Sequence, residues 1–429
     1  MFCAVGCSET PPEVPPIGDS AFNPETDSPY KTEDVVKQDL MWNTASLYAV
    51  NPETKEVGNV NYGAGYENLT SFKFKSAPFS KKTQTQENTW VFATVGVPDQ
   101  TAFSKPELGY PAVVLVHGGG GYVFKDWIKY WTDKGFVALA LDMFSNQLDV
   151  LGNKTSNPEG GPTESDGPCY DNPNDKPNTW LYHSVNNVIL CNNILRARAD
   201  VNDTQIGLVG ISWGGVVTNV VSGVDKRFGA FAPVYGAGYL YEDSFWVNRG
   251  GTFGGEQGSL DRTEWINHFD PSSYLEYSVK PMLFVSGVND NCFSVTGRMH
   301  SASLPKGKVF YSQRYGLGHG NTWDQTYEIY AFMQHVLLGK DTMSQIGNTK
   351  IENGRIYFEY SNKKFDSVRL VYTTGDTSTD SHTWTFSNRL VTIRNGWCTA
   401  PENVTAYCFE FIHEGINENY KLSTPIIII

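Results

Sequence analysis

The chain has 429 residues, 40% hydrophobic and 14% aromatic, which is too apolar for a disordered polymer and long enough for two or three domains. Lys and Arg total 33 against 46 Asp and Glu, and the net charge of −13 argues against nucleic acid or an anionic membrane surface as partner. The longest apolar run, Phe136 to Leu141, falls far short of the ~20 residues of a membrane-spanning helix.

Residues 1–65, rich in Pro, Asn and Glu, read as an N-terminal tether and an irregular lead-in. Within them Ala4-Val-Gly-Cys7 resembles a bacterial lipoprotein cleavage box, followed by a Pro/Glu-rich tether from Ser8 to Ile17. A basic n-region and a long apolar h-region are missing. The expectation is export, as a surface lipoprotein or a secreted protein, with a cytoplasmic location as the alternative. Seven scattered cysteines do not make a disulfide scaffold, and Cys398 with Cys408 reads equally as a cross-strand pair or as two thiols. Neither Cys-x-x-Cys nor His-Glu-x-x-His occurs, so no metal site is expected.

Ser71–Lys75 and Trp90–Val97 alternate like antiparallel strands about a polar turn at 80–88. From Tyr110 the texture changes. Pro111–His117, Phe136–Leu141, Gln205–Gly210, Lys280–Gly287 and Lys308–Ser312 are short apolar runs of the kind buried on both faces of a parallel sheet. Between them lie helical patterns at Asp126–Lys134, Tyr182–Ala197 and Gly214–Val224. A last helix carries Ile329, Phe332, Met333, Val336 and Leu337 on one face and stops at Gly339. Residues 145–179, crowded with Gly, Pro, Asn and Asp, read either as a lid near the carboxyl edge of the sheet or as a surface insertion. Beyond Lys340, Arg355–Tyr360, Val368–Tyr372, Thr383–Phe386 and Tyr407–Ile412 alternate as the strands of a small β-sandwich. The expected class is α/β: a mostly parallel sheet flanked by helices over residues 66–342, then a β-sandwich-like domain over 343–429.

Gly210-Ile-Ser-Trp-Gly214 matches the nucleophile elbow G-x-S-x-G, and it sits between a buried strand and a helix as the motif requires. Ser212 is therefore the expected nucleophile. Serine at neutral pH needs a base, and the base needs an orienting acid. Asp290 follows the strand ending near Gly287, with Asp270 and Asp324 as weaker alternatives. His319 lies on the loop before the last helix. Of the other histidines, His335 lies in a helix, His382 and His413 belong to the β-region, His268 and His300 lack a preceding core strand, and His183 begins a helix. The run His117-Gly-Gly-Gly-Gly121 lacks the Gly-Lys-Ser/Thr of a phosphate loop, so it reads as a source of backbone N–H groups for an oxyanion, from Gly120 or Gly121. Trp213, after the nucleophile, supplies the second donor.

Together these residues resemble the α/β-hydrolase superfamily, in the branch of dienelactone-hydrolase-like proteins, acetylxylan esterases and prolyl-oligopeptidase-type peptidases. Val116–Gly121, Gly210–Gly215 and Gly223–Phe228 carry the likeness, which spans roughly residues 68–340. Dienelactone hydrolases use a Cys nucleophile where this chain has Ser212, and a peptidase of this type carries a large N-terminal propeller that ~100 polar residues cannot supply. The resemblance implies an α/β-hydrolase fold and a serine esterase acting through an acyl-enzyme on a small-molecule or oligosaccharide ester, an acetylated sugar first, with no cofactor. A peptidase would need an anchor for a peptide terminus, for which Glu256 and Arg262 are the candidates. A non-catalytic binding protein on the same scaffold is the third reading.

Overall fold

A computed structural model describes residues 37–58, 60–81, 84–86, 88–163, 172–247, 253, 259–360, 365–377, 384–392, 396–414 and 419–429. The lipoprotein-like box, the tether from Ser8 to Ile17, Thr383, His382 and Glu256 lie outside the described residues, as do residues 164–171 of the insertion.

Among the described residues, one sheet of fourteen strands organises the molecule. Its spatial order runs Thr54–Glu56, Leu69–Ser76, Thr89–Gly96, Val137–Leu141, Tyr110–Val116, Val201–Ile211, Ala230–Val234, Met282–Gly287 and Val309–Arg314. The last six of these are parallel, as buried apolar runs joined by helices require. The first three are antiparallel. Helices cover both faces of the parallel block. A Cβ on Gly207 would meet Met333 of helix Tyr327–Leu338, while one on Gly210 would meet Thr218 of helix Trp213–Val224. Positions an odd number apart on a strand face opposite sides, so these helices sit on opposite faces.

The lead-in is docked rather than loose from Lys37 onward. Trp42 is buried and its Nε1–H donates to the Tyr182 carbonyl at 2.9 Å, and the Tyr48 hydroxyl donates to the Val224 carbonyl at 2.9 Å. The stretch read as a polar turn and the one read as a lid or insertion each contain a short hairpin: Phe79–Lys81 with Gln84–Gln86, and Asn146–Leu148 with Lys154–Ser156.

The C-terminal β-region continues the same sheet. Asn419–Ser423 pairs antiparallel with Val309–Arg314, and Ala406–Glu414, Ser367–Thr373 and Ser387–Val391 follow in order. A second sheet, Ile346–Glu352, Arg355–Tyr360 and Trp397–Thr399, lies over this extension. Ile356 and Phe358 on one side meet Val368, Leu370, Phe409 and Phe411 on the other, which makes the expected sandwich. The strand expected at 383–386 is displaced. Trp384 and Phe386 are buried in a loop, and the pairing residues are Ser387–Val391. Cys398 and Cys408 lie in different sheets and are reduced.

Phe409 sits in the middle of the sandwich core, 4.6 Å from the Phe358 ring. Phe409→Ala is expected to lower the unfolding free energy by about 3–5 kcal/mol. The urea midpoint at unchanged slope measures this. An unmoved midpoint would mean that the second sheet adds nothing to stability.

Candidate active site

Strand Val201–Ile211 ends in a turn that puts Ser212 at φ 57° and ψ −118°, a backbone conformation an L-residue adopts only when its surroundings impose it. The Ser212 N–H donates to the Val234 carbonyl at 2.9 Å, and the Ser212 carbonyl accepts from the Val216 N–H at 3.0 Å. A Cβ at Gly210 would stand 2.0 Å from the Gly214 carbonyl oxygen, and one at Gly214 would stand 2.0 Å from the Val116 carbonyl oxygen. Only glycine fits at either position. Helix Trp213–Val224 starts at once, so the Trp213 N–H lies at the electropositive end of the helix without an intrahelical acceptor.

Asp290 and His319 converge on this serine from the loops after Met282–Gly287 and Val309–Arg314. The His319 Nδ1 lies 2.8 Å from Asp290 Oδ2, and its Nε2 lies 3.0 Å from the Ser212 hydroxyl. A carboxylate only accepts, so Nδ1 carries the proton and the Nε2 lone pair faces Ser212. The other oxygen of Asp290 accepts the backbone N–H groups of Cys292 and Phe293, at 2.9 and 2.8 Å. Burial alone raises the Asp290 pKa. The hydrogen bond from His319, the charges of His319 and Arg298, and the Phe293 N–H outweigh it and hold the carboxyl below its ordinary value. Arg298 is buried behind this loop and donates to the carbonyls of Gly287 and Val288 and to the Gln313 side chain.

Four supports of this arrangement are not visible in the sequence. The Tyr235 ring lies 4.6 Å from the His319 ring, and its hydroxyl donates to the Gly318 carbonyl at 2.7 Å and bonds the Thr322 hydroxyl at 2.9 Å. Burial pushes the Tyr235 phenol up to about 12, so it stays a donor. Phe293 stacks with His319, the ring centroids 6.1 Å apart. The C-terminal region supplies the rest: Asn289 Nδ2–H donates to the Trp384 carbonyl at 3.1 Å, and Glu410 accepts the Tyr315 N–H at 3.3 Å.

The glycine loop lies against Ser212. The Gly121 N–H donates to the Gly118 carbonyl at 3.1 Å, so that donor is committed to the turn. Gly118 is the glycine against Ser212, for a Cβ there would meet Ser212 Cβ at 2.7 Å. Gly120 takes a positive φ of 66°, and its carbonyl accepts from Lys154 of the insertion hairpin at 3.0 Å. His117 steadies the loop: its Nε2 accepts the Met143 N–H at 3.1 Å, so its Nδ1–H donates to the Gly118 carbonyl at 2.8 Å.

The alternatives are engaged elsewhere. Asp270 is buried and accepts the N–H groups of Tyr239, Leu240 and Ser272, and Asp324 is exposed. His183 is buried and burial pushes its pKa down to about 4, which makes it a neutral packing residue. Arg262 donates to the Tyr241 carbonyl at 2.6 Å. Two clusters of aromatic rings include residues next to Ser212 and on the glycine and His319 loops. Trp213 lies 4.3 Å from Trp246, which lies 5.3 Å from Phe293, and Phe124 lies 4.5 Å from Tyr122 and 5.3 Å from Trp323.

Residues 99–293 match the sequence model of the Dienelactone hydrolase family, a segment that holds Ser212 and Asp290 and stops before His319. No curated protein sequence matches the chain. Among solved structures, an acetyl xylan esterase from Paenibacillus sp. R4 aligns with TM-score 0.51 at 14% identity, over 69% of this chain and 92% of that one. Acetyl xylan esterase 1 from Thermoanaerobacterium sp. JW/SL YS485 aligns with TM-score 0.50 at 12% identity, over 72% and 98%. A Pyrococcus horikoshii acylaminoacyl peptidase aligns with TM-score 0.47 at 15% identity, over 64% and 43%. At these identities the first two likenesses are likenesses of fold, and the fold is that of the α/β-hydrolases.

A folded pKa below the unfolded one makes the Asp290 interactions a source of stability above the ordinary carboxylate pKa, lost as pH falls through the lowered value. Asp290→Asn is expected to flatten the acid limb of the melting temperature against pH. A variant curve parallel to the native one through that range would contradict the assignment.

Proposed function

We propose that this chain, with its α/β-hydrolase fold, is a serine carboxylic-ester hydrolase that works through an acyl-enzyme, most active on short acyl esters of carbohydrate. The observation that carries the reading is the continuous hydrogen-bonded path from Asp290 through His319 to a serine held at positive φ. Ser212 Oγ attacks the ester carbonyl as its proton moves to His319 Nε2. Asp290 keeps the proton on Nδ1 and stabilises the imidazolium that forms. The developing oxyanion is met by backbone N–H groups of Trp213 and of the 118–121 loop, worth about 3 kcal/mol each in barrier. The imidazolium then protonates the departing alcohol, and water activated by the same nitrogen releases the acid.

Two features support the finer reading. Trp213, Trp246 and Phe293 fill space beside the Ser212–His319 pair, which favours a small acyl group. Tyr122, Phe124 and Trp323, partly exposed on the loops that carry the glycines and His319, offer ring faces of the kind on which pyranoses stack. The two acetyl xylan esterases that share the fold are in keeping with this.

The test is hydrolysis of p-nitrophenyl acetate, butyrate and octanoate, acetylated xylan and an aminoacyl p-nitroanilide by native protein and Ser212→Ala. Expected are fastest turnover of acetate, release of acetate from xylan, and a loss of about 10³-fold or more in the variant. Turnover of the anilide alone would move the assignment to a peptidase. A folded native protein inert on all five substrates would sink the enzyme reading.

Tyr235→Phe keeps the ring on His319 and removes the hydroxyl that fixes the Gly318 carbonyl. It is expected to lower kcat by about 10–100-fold with KM little changed, because a small misplacement of the base is enough. An unaltered kcat would leave Tyr235 a packing residue.

A further inference from the structure

The mechanism above leaves one reactive group at the site unused. Cys292, two residues beyond Asp290 and half-buried, offers a thiol beside the acid and the base. One ligand atom each from Cys292, Asp290 and His319 all lie within 4.8 Å of one another. We propose that these three side chains form an inhibitory site for a borderline or soft divalent cation of the zinc class. The proposal rests on the reading of Ser212, His319 and Asp290 as a catalytic triad.

The donor set decides the class of ion. A sulfur, an imidazole nitrogen and a carboxylate oxygen suit zinc or cadmium, whereas calcium and magnesium prefer oxygen alone. Zinc bonds of about 2.0–2.3 Å put tetrahedral donors roughly 3.5 Å apart, so the present spacing has to tighten by about an ångström. Cys292 is partly exposed and lies on a loop, and movement of its side chain supplies that closure. The fourth position is left to water.

Binding displaces the thiol proton to solvent, with no change of oxidation state: the thiol becomes a metal thiolate and the cation keeps its charge. Both modes of contact with His319 stop the base. Metal on Nε2 occupies the lone pair that receives the Ser212 proton. Metal on Nδ1 displaces the proton that faces Asp290, which passes to Nε2, so that Nε2 no longer offers a lone pair to Ser212. Metal thus competes with the arrangement that makes the serine nucleophilic, and removal of the metal restores it.

Cadmium serves as the spectroscopic probe, through the ultraviolet charge-transfer band of a cadmium thiolate, and zinc as the inhibitor. Band intensity is compared between native protein, Ser212→Ala and Cys292→Ala, with the difference from Cys292→Ala isolating this thiol from the other cysteines. The expected result is a difference band in native protein and in Ser212→Ala alike. Zinc is expected to inhibit native esterase activity, reversibly with EDTA, and Cys292→Ala, scaled to its own zinc-free rate, should need at least about tenfold more zinc. An equal zinc sensitivity of Cys292→Ala, or no difference band, overturns the proposal. If native protein hydrolyses no ester, the triad reading fails, and the band still decides whether the three residues hold a cation.

Discussion

Everything at the site hangs on one crowded turn. Ser212 takes a left-handed backbone because strand Val201–Ile211 must hand over to helix Trp213–Val224 within one residue. At that handover the carbonyls of Gly214 and Val116 fill the places where side chains at 210 and 214 would go. The turn costs on the order of 1–3 kcal/mol in strain, offset by the surrounding sheet and helix. In return the hydroxyl stands clear of the sheet, and the helix start brings unpaired N–H groups to the same point.

The partners of the serine arrive from farther away, and what steadies them is spread over the chain. Asp290 is fixed by two N–H groups of its own loop and by a buried guanidinium behind it. The His319 ring packs against both Tyr235 and Phe293, with the Tyr235 hydroxyl on the preceding carbonyl. Both loops and the strand before the second also lean on the C-terminal region, through Asn289 to Trp384, Tyr315 to Glu410, and Gln313 to Ser423. Val288 and Val295, on either side of Asp290, share a buried cluster with Val371, Trp384, Phe386 and Cys408. The C-terminal region is thus a wall of the acid loop as well as a second core.

Local signals were legible in the sequence, and long-range ones were not. The elbow, the strand and helix alternation and the order of Ser212, Asp290 and His319 depend on neighbours within a few residues. Strand Ala230–Val234 carries Pro233, a residue that argues against a central strand, yet it pairs on both sides. The loop at 384–386 looked like a strand because burial of Trp384 and Phe386 imitates alternation. Tyr235 carried no sequence signal, since its role comes from a positive φ and a carbonyl 83 residues away. The choice of donor within the glycine loop was equally closed to sequence, because it turns on which N–H is used by the turn itself.

The continuity of the sheet sets an order of events during synthesis. Asn419–Ser423 lies beside Val309–Arg314 in space, but it leaves the ribosome more than a hundred residues later. At ordinary elongation rates that gap lasts roughly 5–20 s. Throughout it the nascent chain already holds Ser212, Asp290 and His319, and the strand leading to His319 still has an open edge. Such an edge is a template for wrong pairing. The maturation of this protein therefore passes through an interval in which a chaperone, or another nascent chain, competes for the place its own C-terminal strand will take.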